Sequence, residues 1–324
     1  MDTIFDYRSY RNFLSEQDCI TLINMLKEKS GKKVAIIFGN CQTQKLIKMF
    51  LNHSVFSQEY FLVQLPPVFN YREQDYALLE EHFWSVCDLL ISHRVKKDNR
   101  FNAKLATQRF TSYLPETSKV IWIPNVYFNG YFPQYKDNEH NIDRHLHQSG
   151  RFPYGDKYID AYLEDNVCTL QELSQYIQSE AFITENEVKA NVERSFNELR
   201  KREWPCDIHM SDYIVDNYQR KQLFYSNNHP IQSVILELAY RILRFMDISD
   251  LTFTNMDFLQ VQDSLIGQDV PIYPAVKKIL NLKDSLEEYY PNRYLWPFRG
   301  NYLDYLTEYV KWCWKERLIT NYVD

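Results

Sequence analysis

Lys32-Lys-Val-Ala-Ile-Ile-Phe-Gly-Asn-Cys-Gln42 is an apolar, β-branched run that ends in a tight turn carrying a thiol. The next residues, Thr43-Gln-Lys-Leu-Ile-Lys-Met-Phe-Leu51, have apolar positions at helical spacing. Strand, turn and helix in that order are half of a βαβ unit and predict an α/β fold with a parallel sheet. Cys41 then falls where a strand hands over to a helix N-terminus. The positive end of the helix dipole favours a thiolate there and should lower the pKa of Cys41. Free N–H groups of the first turn could hold an anion or a developing oxyanion.

Outward from this turn the alternation continues. Gln17–Lys27 before it reads as a helix, and Tyr60–Leu65, Cys87–Ser92 and Lys119–Pro124 after it read as strands. Glu73–Trp84 and Phe101–Tyr113 read as helices between them. Four strands and three intervening helices make a doubly wound parallel sheet. Its carboxyl rim would gather Cys41, Pro66-Pro67, His93-Arg94 and Asn125–Gly130. Residues 125–157 are punctuated as loops, and 158–205 read as a helical insertion. Residues 211–222 are helical, Leu223–Ser226 is a short strand, and Pro230 suits the first position of a helix over Ile231–Met246. A last helix spans Tyr302–Leu318. This divides the chain into an N-terminal helical extension (1–31), an α/β domain (32–250) and additional C-terminal helices (251–324).

The 324 residues are 45% hydrophobic, enough for a real core, and the net charge of −6 argues against general nucleic-acid binding. Six cysteines with no CxxC spacing, no signal-peptide pattern and no long apolar run suggest free thiols in a cytoplasmic protein without a transmembrane segment. Walker A, G-x-G-x-x-G and G-x-S-x-G sequences are absent, which removes support for P-loop NTPases, Rossmann dehydrogenases and ordinary serine hydrolases.

Cys41 is therefore the candidate nucleophile, or else a small residue buried under a helix. Asn40 and Gln42 flank it and could donate to an oxyanion or cap the helix. His229, in a loop before a helix, is the candidate base. Arg94, followed by Lys96, Lys97 and Arg100, offers a basic rim for phosphate. His140, His145 and His147 have no recognised metal spacing and are expected to bind no metal.

Three pieces together resemble the WcbI-type polysaccharide-biosynthesis acetyltransferases: Val34–Gln42, Ile121-Trp-Ile-Pro-Asn-Val-Tyr-Phe-Asn-Gly-Tyr-Phe-Pro133 and Asn228-His-Pro230. The Gly39-Asn40-Cys41 turn also looks like the Gly-Asp-Ser turn of SGNH-type esterases, a flavodoxin-like fold, with Cys in place of Ser. The resemblance implies an acyl-transfer enzyme that uses coenzyme A or acetyl-CoA and acts on a capsular or other surface polysaccharide. Cys41 and His229 would be catalytic, with Asn40 and Gln42 beside them. Gly39, His93, Arg94 and Lys97 would contact the cofactor, as would Asn125, Tyr127, Asn129, Gly130 and Asn228. The chain lacks the esterases' Asp-x-x-His, because Ser226 stands three residues before His229. Competing readings are an SGNH-type hydrolase and a non-catalytic glycan- or nucleotide-binding module.

Overall fold

A strand whose every residue after the first is apolar must be covered on both faces, and parallel sheets provide that. The computed structural model describes residues 4–139, 150–179, 182–254, 265 and 267–314. Five strands form a parallel sheet: β1 (Ile4–Asp6), β2 (Lys33–Phe38), β3 (Tyr60–Gln64), β4 (Leu89–His93) and β5 (Lys119–Ile123), in the order β1-β3-β2-β4-β5. Ile36 of β2 lies opposite Val63 of β3 on one side and Leu90 of β4 on the other. Val34 to Phe38 are at most 1% exposed, and each large side chain so buried contributes roughly 1.5–3 kcal/mol.

One face packs Val34, Ile36 and Phe38 against Ile23 of the helix Glu16–Ser30 and against Trp84 and Phe110. The helices Cys41–Leu51 and Gln232–Phe245 pack together in the same unit. The chain passes from β2 outward to β3, then returns across β2 to β4. The carboxyl ends of β2 and β4 therefore flank the point where the connections diverge, which is where open α/β sheets bind ligands.

The chain divides into two compact units. The first comprises Met1–Asn125, Arg200–Met210 and Gln232–Ser264, and contains the sheet. At its β5 edge, Trp122 N donates to Asp207 Oδ2 at 2.7 Å, and Asp207 N donates back to Trp122 O at 2.9 Å. The second comprises Val126–Leu199, Ser211–Ile231 and Leu265–Asp324. It holds two small antiparallel pairs, β6 (Tyr135–Asp137) with β7 (Tyr154–Asp156) and β8 (Phe224–Ser226) with β9 (His229–Pro230). In its core Asp160 accepts from Tyr309 OH at 2.7 Å and Trp314 Nε1 at 2.8 Å. Among the described residues no helix is long and apolar enough to cross a membrane.

The structure corrects several sequence expectations. β1, three residues long, is an unexpected fifth strand. Glu73–Trp84 is a 3₁₀ helix (Glu73–Leu79) and one turn of α-helix (Glu81–Trp84), separated by the extended Glu80. Phe101–Tyr113 breaks in the same way at the extended Ala106. The 125–157 stretch carries β6 and β7. Pro230 lies in β9, and its helix begins at Gln232. The last helix is seen over Tyr302–Cys313. His140, His145 and His147 lie outside the described residues. Among the described residues no group of His, Cys, Asp or Glu could hold a metal ion.

Candidate active site

The turn after β2 is built around a glycine. A Cβ on Gly39 would sit 2.5 Å from His93 Nδ1 and 2.7 Å from Thr43 Cγ2, so only glycine fits between β4 and the next helix. Gly39 O accepts from Val68 N at 2.9 Å, which brings the segment after Pro66-Pro67 against the turn. Asn40 is the N-cap of the helix Cys41–Leu51, its Oδ1 accepting from Gln42 N at 2.9 Å. Cys41 is the first residue of that helix.

Asn125, just past β5, joins the turn from across the sheet. Its Oδ1 accepts from Asn40 Nδ2 at 2.8 Å and from Gln42 Nε2 at 3.0 Å. The two amides that flank Cys41 are thus tied to one acceptor. Asn40 is a cap and a brace. The first-turn donors are partly used as well: Gln42 N by Asn40 Oδ1, and Thr43 N by Asn40 O at 3.2 Å.

Burial reverses the expected electrostatics of Cys41. The side chain keeps some exposed surface, but the dense protein around it pushes the thiol up to about 12. Hydrogen bonds from the Cys41 and Gln42 N–H groups act the other way and lose. At neutral pH the group is a thiol. His93, at the end of β4, accepts from Asn40 N at 3.4 Å; its Nε2 is buried without a hydrogen-bond partner among the described residues. Burial depresses His93 to about 3, so it is neutral and cannot serve as a cation toward phosphate.

Arg94 is exposed; it donates to Pro205 O at 2.8 Å and stacks over Trp122 at 5.2 Å. Lys96 and Lys97 are exposed in the following turn. Lys45, one helical turn beyond Cys41, is fully buried. Its spacing from Cys41 on one helix face was visible in the sequence, but its burial was not.

The remaining candidates belong to the second unit. Phe128 N donates to Asn227 O at 2.8 Å, joining the Val126–Gly130 turn to the β8–β9 turn that carries Asn228 and His229. Ser226 pairs with His229 in the β8–β9 register, but its hydroxyl donates to Tyr154 OH at 3.2 Å. His229 Nδ1 is buried with no partner among the described residues, and burial depresses the ring to about 4. Among the described residues no carboxylate bonds its Nδ1. The structure therefore brings Gly39, Asn40, Cys41, Gln42, His93 and Asn125 together in one unit. It joins Asn129 and Gly130 to Asn227 and His229 in the other.

Residues 34–251 match the family described as polysaccharide biosynthesis enzyme WcbI. Among solved structures, one of WcbI aligns with a TM-score of 0.73 and 21% identity, covering 88% of this chain and 90% of that one. That structure is described as a novel polysaccharide biosynthesis enzyme, in its native form without the disulfide bond between coenzyme A and one of its cysteines. At that identity the likeness establishes the fold. No curated protein matches this chain. The family match spans the strand–Gly-Asn-Cys–helix turn, the Asn125 brace and the His229 turn, and the chain belongs to the WcbI family of polysaccharide biosynthesis enzymes.

Proposed function

We propose that this protein is a coenzyme A-dependent acetyltransferase that O-acetylates a capsular or other surface polysaccharide, or its precursor, in the cytoplasm. The observation that carries the reading is Cys41 at the first turn of a helix, at the sheet's switch point, with both flanking amides braced on Asn125. The coenzyme A named for the related structure supports it. So do six free cysteines, which suit a reducing compartment.

The residues fit such a donor. Arg94 and Lys97 are exposed cations for its phosphates, and Tyr127, Gly130 and Asn228 supply polar and aromatic contacts for its arm. When bound, the donor supplies an acyl thioester, which is close in energy to a thioester on Cys41. Cys41 Sγ would bond the acyl carbon as the donor's carbon–sulfur bond breaks, and the proton of Cys41 would leave with the donor's thiol. An acceptor hydroxyl then takes the acyl carbon, gives up its proton, and restores the Cys41 thiol. His229 suits the base that takes the acceptor hydroxyl's proton because it is neutral at physiological pH and its Nδ1 has no hydrogen-bond partner among the described residues.

Calorimetric titration should show stoichiometric coenzyme A binding in wild-type protein and in Cys41→Ala, with acetyl transfer lost only in the latter. Wild-type turnover by Cys41→Ala would remove the nucleophile and leave direct transfer with His229 as base. Absence of coenzyme A binding would remove the reading altogether.

A further inference from the structure

Asn129 Oδ1, Asn227 Oδ1 and His229 Nδ1 are among the buried polar atoms of the second unit that have no partner among the described residues. Buried amide oxygens are normally paired, so each such exception needs a cause. These three are clustered by the fold. The bond from Phe128 N to Asn227 O joins the residues next to Asn129 to the turn that carries His229.

The surrounding backbone is fixed without help from these side chains. Asn129 N donates to Ser195 Oγ at 2.6 Å, and Asn129 O accepts from Asn191 Nδ2 at 2.6 Å, both from the helix Glu185–Glu203. A Cβ on Gly130 would lie 2.3 Å from the Phe128 ring, so the turn is held closely against that ring. Asn227 is 5% exposed, and its main chain is the part that bonds Phe128. The side-chain oxygens of Asn129 and Asn227 have no partner among the described residues.

We propose that Asn129, Asn227 and His229 form a subsite that reads hydroxyl groups of a neutral, polyhydroxylated acceptor, the two amide oxygens and an imidazole nitrogen each accepting one O–H. The proposal rests on the acetyltransferase reading and adds the half of the reaction that receives the acyl group. Acceptor atoms repel phosphate and carboxylate, so the subsite selects against anionic groups. It matches a sugar face that presents several O–H donors at once. A neutral imidazole always keeps one nitrogen as an acceptor. Amide N–H groups of a coenzyme A arm share this donor chemistry, and the experiment separates the two.

Saturation-transfer NMR with methyl glucoside, methyl galactoside and methyl mannoside is run without donor, on wild-type protein and on folded Asn129→Ala, Asn227→Ala and Asn227→Asp. Coenzyme A is titrated into the same four proteins by calorimetry. At least one glycoside should bind the wild type and weaken about three- to tenfold in each Ala variant, as for one lost hydrogen bond. Asn227→Asp, which keeps an acceptor oxygen, should retain most of the affinity. Coenzyme A should change by less than about twofold. Tetrahydropyran-2-methanol, a sugar ring stripped of its ring hydroxyls, should give no transfer to the wild type, a result that needs no variant. The proposal is overturned by no glycoside contact in the wild type, by equal contact from the stripped ring, or by unchanged glycoside affinity in both Ala variants. Coenzyme A weakening while the glycosides hold would overturn it too, assigning the amides to the donor's arm. Failure of wild-type protein to bind coenzyme A removes the acetyltransferase reading, while the glycoside measurements stand alone.

Discussion

A thiol raised to about 12 is a poor nucleophile until a base removes its proton. Sequence position alone makes Cys41 the thiol most easily alkylated; its burial takes that advantage away. Iodoacetamide at pH 7.5 should modify Cys41 at least about tenfold more slowly than a free thiol of ordinary pKa, with the rate still rising above pH 9. Labelling as fast as free cysteine would show that the helix N-terminus wins over burial. Asn125 carries a second expectation at this scale. Its Oδ1 holds two amides, so Asn125→Ala should lower stability by about 1–3 kcal/mol in urea denaturation. Asn125→Asp, which keeps the acceptor, should lose less. Equal losses from both would mean that the brace contributes nothing through that oxygen.

Among the elements, the tightest fit is the turn between β2 and the helix Cys41–Leu51. Gly39→Ala places a methyl against His93 Nδ1 and Thr43 Cγ2, and should destabilise the protein by about 1–3 kcal/mol, measured by chemical denaturation. A neutral result would mean that His93 gives way freely. This turn, with β2 to β5, was legible in the sequence because an apolar run, a glycine and a helical period coincide there. Glu73–Trp84 and Phe101–Tyr113 were misread for a physical reason. Apolar spacing predicts which face is buried, yet one extended residue, Glu80 or Ala106, divides the helix without disturbing that spacing. β1 is too short for any period to register. Asn40, Gln42 and Asn125 could be named from their places at strand ends. That one oxygen of Asn125 serves both other amides depends on strand order, which local pattern does not contain. Asn227 was missed because nothing in Asn227-Asn228 distinguishes a turn residue from a ligand residue.

Across the whole molecule the two units carry buried groups with opposite responses to pH. His93, in the first unit, has a folded pKa of about 3, against roughly 6.5 when unfolded. Below 6.5 the unfolded chain takes a proton that the folded unit refuses, so this group's contribution falls as pH drops. In the second unit Asp156 and Asp269 are raised by burial to about 7, from roughly 3.9 unfolded. Between those values the folded unit carries the extra protons, and stability falls as pH rises. His229, at about 4, offsets one of the two carboxyls. From pH ~4.5 to ~6.5 these groups should therefore stabilise the first unit and destabilise the second, each by about 1.4 kcal/mol per pH unit. Peptide-resolved hydrogen exchange, corrected for its intrinsic pH dependence, would show the two slopes. Slopes of the same sign would mean that other groups dominate.

The Asp207 segment that closes the β5 edge lies 85 residues beyond Trp122 in the chain. A nascent chain therefore finishes all five strands well before it possesses the piece that covers the last of them. At about 5–20 residues per second, β5 stays bare on the ribosome for roughly 4–17 seconds while the intervening residues are made. For that interval the growing protein presents an open strand edge, the kind of surface that pairs with other chains. The order in which the gene spells the molecule thus leaves the Trp122 backbone without these bonds during synthesis, whereas the finished protein makes them.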